Sequence, residues 1–178
     1  MYEPDPEVVR SAARGDLGAF ESLVRAYQSD VWRLCLHLLG NRAAADDAAQ
    51  DALVRAYRFL PRYRGDSKFS TWLFAITRNC CVDELRRKKR RSALVEAVGA
   101  EPRERARDVG TRLEVRDALA TLPQELLEPV VLIDMFGHSY RDAAQVLGIP
   151  EGTVKSRVHR ARELLVRTLQ IEERADES

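Results

Sequence analysis

Apolar residues recur along this chain at intervals of three and four, with no convincing stretch of strict alternation, and this pattern predicts an all-α protein. Asp16 is placed to cap a first helix reaching about Gln28, and Asp30 to cap a second that stops at Gly40 after Leu39. A third helix is expected from about Ala43 to Leu60, ahead of Pro61. After the loop from Arg62 to Lys68, Ser70 or Thr71 opens a long fourth helix carrying Trp72, Ile76, Val82 and Leu85. The pattern dissolves between about Ser92 and Gly110, where Gly99, Pro102 and mixed Arg and Glu read as a solvated linker. Helical period returns with Leu113, Val115, Leu119 and Leu122, and Pro123 opens a helix through Leu126, Leu127, Val130, Val131 and Ile133. Two small helical domains are therefore expected, over residues 1–92 and 111–178, joined by a flexible linker over 93–110. The second is near the lower size limit for independent folding.

The most specific local signal runs from His138 to Val158. Ser139 can cap a short helix, Ala143 and Ala144 are small enough for close packing, Gly148 supplies a left-handed turn and Ile149 plugs the angle that follows. This is the anatomy of a helix-turn-helix. On its last helix Val154, Val158, Ala161 and Leu165 form one stripe, which must face a core. The opposite crest carries Ser156, His159, Arg160 and Glu163, with Lys155 and Arg162 on one shoulder and Thr153 and Arg157 on the other. A helix lying in the major groove needs base-reading groups at its crest and cations and hydroxyls where the phosphate backbones pass. The same charges would also suit a plain solvated face, but the turn before them favours DNA.

In the first half, Ala45, Ala49, Ala52, Leu53, Ala56 and Leu60 make a buried stripe that leaves Asp47, Gln50, Asp51, Val54 and Arg58 outward. A valine ringed by carboxylates, an amide and an arginine suits a protein-docking patch. By itself the pattern serves equally well as a solvated face. Downstream, Ala75, Arg78, Asn79, Val82 and Arg86 share a face that ends in strong positive charge. Arginines there can hold phosphates while Asn79 offers an amide to a base edge. Trp72 reads as a core aromatic.

Composition adds constraints rather than a direction. The formal net charge is only +1, yet Arg86 to Arg91 form an unbroken basic run while Asp46, Asp47, Asp51 and the tail from Glu172 to Glu177 are acidic. Two surfaces of opposite sign are implied. Cys35, Cys80 and Cys81 lack metal-ligand spacing and adjacent cysteines on a helix point apart, which fits a reducing cytoplasm. No apolar run approaches a membrane span and the N-terminus lacks signal-peptide character, so no direct membrane insertion is expected. There is no phosphate loop, nucleophile elbow or His-carboxylate cluster, so no catalytic residue, metal or cofactor is expected. A one-sided carboxylate group such as Asp46, Asp47 and Asp51 is more often a docking surface than a cation site.

Taken in order, the stretch from Asp46 to Asp51, the block from Phe69 to Asn79, Asp83 to Arg87, and the helix-turn-helix with Gly152 to Arg157 resemble an extracytoplasmic-function sigma factor of bacterial RNA polymerase. The resemblance covers nearly the whole chain apart from its ends and the linker. It implies a region 2 domain whose Asp47, Gln50, Asp51, Val54 and Arg58 dock on the clamp helices of the largest polymerase subunit. Tyr63, Ser67, Lys68, Arg78, Asn79, Arg86 and Arg87 would then engage the minus-10 element as promoter DNA is melted. It implies equally a region 4 domain that rests on the polymerase flap and reads the minus-35 element through Thr153, Lys155, Ser156, Arg157, His159, Arg160 and Arg162. An anti-sigma factor is a further implied partner, and the linker would pass near the RNA exit path. Asp142 and Ala143 stand where the family more often has Glu and Ile, and Asp51 where Glu is common. A stand-alone helix-turn-helix regulator with a sensory first domain is the competing reading, but it leaves the docking patch and the basic helix unexplained.

Overall fold

The computed structural model describes residues 2–98 and 112–176, and among these every regular element is helical. Helix α1 spans Pro6–Ala13, capped by the Asp5 carboxylate, which accepts from the Glu7 amide at 2.8 Å. It was not anticipated, although an aspartate followed by proline at the first helical position is a start signal. Helix α2 spans Leu17–Leu39 without interruption. Asp16 caps it as expected, and Gly40 ends it in the left-handed region at φ 64°. The second start expected at Asp30 is absent, and Asp30 instead pairs with Arg33 within the helix. The reason is packing: Leu23, Tyr27, Val31, Leu34 and Leu38 continue one buried stripe through that point, and no Gly or Pro stands there to break it.

Helix α3, Arg42–Phe59, starts from Asn41 and gives way to a tight 3-10 turn at Leu60–Arg62, where Pro61 fits because that turn does not need its missing N–H. Its buried face is Ala45, Ala48, Ala49, Ala52 and Ala56, so α3 lies close on its neighbours, while Leu53 is only half-buried. Helix α4, Phe69–Val98, carries the basic run within it and continues past Ser92, so residues 93–98 of the expected linker are helical; the remainder of that segment lies outside the described residues.

The second unit comprises α5 (Arg112–Thr121), α6 (Gln124–Val130), a π-helical turn (Val131–Met135), α7 (Tyr140–Leu147) and α8 (Glu151–Asp176). Pro129 lies buried inside α6, where it cannot donate the helical hydrogen bond. The wider turn follows, closed by the Phe136 amide donating to Val131 O at 3.3 Å and by Gly137 at φ 67°. The helix-turn-helix is confirmed: Ser139 caps α7, Gly148 is left-handed at φ 67°, and Ile149 packs against the core. Val154, Val158 and Ala161 are completely buried, and Leu165 partly so.

The two units pack on each other through aromatic rings. Phe74 of α4, wholly buried, stands edge-on to Phe136 at 5.1 Å and against His138 at 4.9 Å, and Arg33 of α2 lies over Phe136 at 5.5 Å. His138 is buried and its Nε2 has no hydrogen-bond partner among the described residues. Burial pushes its pKa down from 6.5 to about 4, and nearby Lys68 acts in the same direction while Asp142 opposes it. The folded protein thus holds His138 neutral, whereas the unfolded chain takes up a proton below its ordinary pKa. The folded state is fully favoured above pH 6.5 and loses stability as the pH falls from there towards about 4. The loss should approach about 3 kcal/mol at roughly 1.4 kcal/mol per pH unit. Urea titrations at pH 7.5 and 5.0 should show it, and His138→Phe should flatten the difference; an unchanged slope would remove His138 as its source.

Candidate functional site

The recognition helix presents the expected crest. Ser156, His159 and Arg160 are exposed on the side of α8 opposite Val154, Val158 and Ala161, and among the described residues Arg160 has no ionic partner. His159 faces Glu163 at 3.5 Å, and the Ser156 hydroxyl donates back to Thr153 O at 3.0 Å, an easily exchanged local bond. The shoulders are more committed. Lys155 pairs with Glu151 at 2.8 Å and lies over the Tyr140 ring, while half-buried Arg157 stands 3.8 Å from Glu125. Arg162 grips Asp134 by two hydrogen bonds, Nε at 3.0 Å and Nη2 at 2.5 Å, and so ties α8 to the π-helical turn. Asp134 gave no sequence signal, because that pairing exists only once the turn brings it beside α8.

On α3, Asp47, Gln50, Val54 and Arg58 are exposed as expected. Asp51 also reaches the surface, its side chain 38% exposed, but it pairs with Arg55 at 2.8 Å, and Arg55 reaches across to Asp83 of α4 at 2.9 Å. This bridge joins α3 to α4, and hydrogen bonding to Asp83 holds the Arg55 guanidinium charged. The patch has apolar members that the helical wheel left out. Tyr57 is 44% exposed beside Val54 at 41%, with Tyr57 resting on Phe20 at 4.9 Å, and Leu17 and Phe59 are also exposed.

The loop before α4 is built by Tyr63, whose hydroxyl donates to Ser67 O at 2.6 Å and whose ring packs on Phe69 and Trp72. Trp72 is correspondingly only partly buried, on the rim of the core and not within it. Beside the loop lies a cavity of about 390 Å³ lined by Pro6, Val9, Tyr63, Lys68 and Phe69. Asn79, Arg86 and Arg87 are exposed on α4, whereas Arg78 is drawn against Glu128 of the second unit and Lys68 against Asp142. The expected minus-10 residues are thus divided between an exposed face, where Arg87 lies 3.5 Å from Glu84, and one paired with the second unit.

Two contiguous parts of the chain match family models, residues 23–91 that of sigma-70 region 2 and residues 112–165 that of sigma-70 region 4. The chain is 40% identical, over 93% of its length and 84% of the relative's, to the ECF RNA polymerase sigma factor SigM of Mycobacterium tuberculosis. It belongs to the ECF sigma factors. The fold agrees. The sigma factor RpoE of Bartonella quintana, solved with the anti-sigma factor NepR, superimposes with a TM-score of 0.74 at 28% identity, over 85% of this chain and 97% of that one. CnrH, solved with the cytosolic domain of CnrY, gives 0.73 at 28% identity, over 93% and 96%. This sigma factor accordingly directs promoter-specific transcription, and the stand-alone regulator is set aside because region 2 accompanies the helix-turn-helix. Among its described residues no helix is long and apolar enough to cross a membrane, and no group of His, Cys, Asp and Glu could hold a metal. Its cysteines are free and buried: burial pushes Cys80 up to about 12, and Cys81 is held above the ordinary thiol range by its hydrogen bond with Cys35 and by burial.

Proposed function

We propose that this sigma factor reads the minus-35 element through the exposed crest of α8, docks on the polymerase clamp through the exposed face of α3, and engages the melted minus-10 strand through α4 and the loop before it. The observation that carries the reading is the crest itself: Ser156, His159 and Arg160 are exposed directly opposite three fully buried residues of the same helix. In the major groove an arginine so placed grips a guanine by two hydrogen bonds, while Thr153, Lys155 and Arg157 meet phosphate. Arg162 meets phosphate only by giving up Asp134, so its contribution is chiefly to hold α8 in place. Asn79, Arg86 and Arg87 face the opened strand, and the cavity beside Tyr63 accommodates a base held out of the stack. The chain contributes no chemistry of its own to RNA synthesis, works in the cytoplasm with core polymerase, and is bound by an anti-sigma factor, a reading supported by its likeness to RpoE, which was solved in complex with one.

The test is a holoenzyme binding series over single-base minus-35 variants at two salt concentrations. Arg160→Ala should cost about 1–3 kcal/mol, with the loss confined to one promoter position. Lys155→Ala should weaken every variant evenly and flatten the salt dependence by roughly one counterion. Arg157→Ala should do the same, since each of these cations has one carboxylate beside it, Glu151 at 2.8 Å from Lys155 and Glu125 at 3.8 Å from Arg157. If Arg157→Ala altered base preference and Arg160→Ala altered only the salt slope, the helix would sit in the groove turned by about 60° and the roles would be exchanged.

A further inference from the structure

Ahead of α1 the chain crosses the opening of α4 as a strap, residues 2–5, and this strap is pinned along its length. Tyr2 O accepts from the hydroxyl of buried Tyr27 at 2.7 Å, Pro4 is buried, and Asp5 caps α1. Between these anchors Glu3 reaches the first turn of α4, where its Oε1 accepts from the Ser70 hydroxyl and, at 3.3 Å, from the Ser70 amide. Glu3 thereby caps α4 from a distant part of the chain, a task that Lys68, the residue ahead of the helix, cannot perform because it has only donors. Oε2 makes only a long contact of 3.4 Å to the same amide and so keeps its capacity to accept. The cavity of about 390 Å³ beside the loop lies between strap and loop, with Glu3, Pro4 and Val9 on one wall and Tyr63, Arg64 and Phe69 on the other. Tyr63 stands edge-on to Phe69 at 5.9 Å and lends the second wall an aromatic surface, while Arg64 is exposed and suited to a phosphate. The strap wall precedes residues 23–91, the stretch that matches sigma-70 region 2, so the family pattern does not define it.

We propose that the strap completes a single-base site and that Glu3 sets its preference: the carboxylate accepts from the exocyclic amino group of cytosine, adenine or guanine and disfavours thymine. Thymine has no amino group, and its one ring N–H is flanked by two carbonyl oxygens that repel a carboxylate. This rests on the reading of the cavity as the place of an extruded minus-10 base. Stacking against Tyr63 holds any base, because every base has an aromatic face, and the contact with Glu3 chooses among them. The anchors at Tyr2, Pro4 and Asp5 leave the carboxylate little freedom, so its direction is set before DNA arrives.

Holoenzyme is titrated with fork-junction DNA from a promoter it transcribes, with the minus-10 non-template strand unpaired and each position in turn made abasic or set to each of the four bases. One position should lose about ten-fold in affinity when abasic, and Tyr63→Ala should remove that sensitivity. At this position the three amino-bearing bases should bind about ten-fold more tightly than thymine, the size of one hydrogen bond to a charged group. Glu3→Gln should bring all four bases within about two-fold, since its amide both donates and accepts, and its carbonyl still accepts from Ser70, so the variant should melt like the unsubstituted protein. If the abasic effect and its loss in Tyr63→Ala are found but Glu3→Gln keeps the preference, the base site stands and the assignment to Glu3 falls. If no position responds to both, the reading of the cavity fails and the proposal with it. Should Glu3→Gln melt lower, Ser70→Ala separates the two roles, because it weakens the cap and leaves the carboxylate and its amide contact. It should keep the thymine penalty, and a penalty lost equally in both variants would reduce Glu3 to a cap and overturn the proposal.

Discussion

Val54→Asp should weaken assembly with core polymerase by about 30-fold or more and leave the unfolding temperature nearly unchanged. Val54 and Tyr57 are large apolar side chains left 41% and 44% exposed in the middle of a polar face, with Asp47, Gln50 and Arg58 around them. That is the layout of an apolar anchor inside a polar rim, and removing such an anchor costs about 2 kcal/mol or more. An aspartate there adds the burden of an unpaired charge at the closed interface. Because Val54 is exposed and stands apart from the buried alanine face of α3, the fold should tolerate the change. Native-gel or light-scattering titration against core enzyme gives the affinity and a melting curve the stability, and unchanged affinity would move the docking surface elsewhere. Asp51→Arg is a poorer probe, since it would disturb the Asp51–Arg55–Asp83 bridge between α3 and α4 together with any partner contact.

Tyr27→Ala should remove about 3–5 kcal/mol of stability, a large share of the roughly 5–15 kcal/mol typical of a folded protein. Tyr27 is 1% exposed at the centre of the first unit, with Phe69 at 5.5 Å, Tyr2 at 6.0 Å, and its hydroxyl donating to Tyr2 O at 2.7 Å. Truncation opens a cavity between α2 and the start of α4 and frees the N-terminal strap before α1. The milder Tyr27→Phe keeps the ring and loses only the hydrogen bond, which should cost about 1 kcal/mol. Denaturant unfolding separates the two, and equal losses for both substitutions would show that the hydroxyl, and not the ring, carries the effect.

The helical class, the helix-turn-helix and the division of α8 into buried stripe and exposed crest were legible in the sequence, because each is a local relation: a cap next to its helix, a glycine at its turn, apolar residues at a helical interval. The apolar stripe of α8 and the Ser139 and Gly148 signals were placed correctly on that basis. Local signals were also where the reading erred. Asp30 has the chemistry of a cap, but the buried stripe from Leu23 to Leu38 kept α2 continuous, and tertiary burial outweighed the capping preference.

What only the tertiary structure decided is which charges are free. By sequence alone Arg78, Lys68, Arg157 and Arg162 are interchangeable members of basic faces. In the fold they lie beside Glu128, Asp142, Glu125 and Asp134, which are 50, 74, 32 and 28 positions distant along the chain. The hydrophobic pattern specifies each helix by near neighbours, since it needs only the period of the backbone. An ion pair between helices depends on the positions of two whole elements, set by the packing of Phe74, Phe136 and the second unit's turn, and no interval along the chain encodes it.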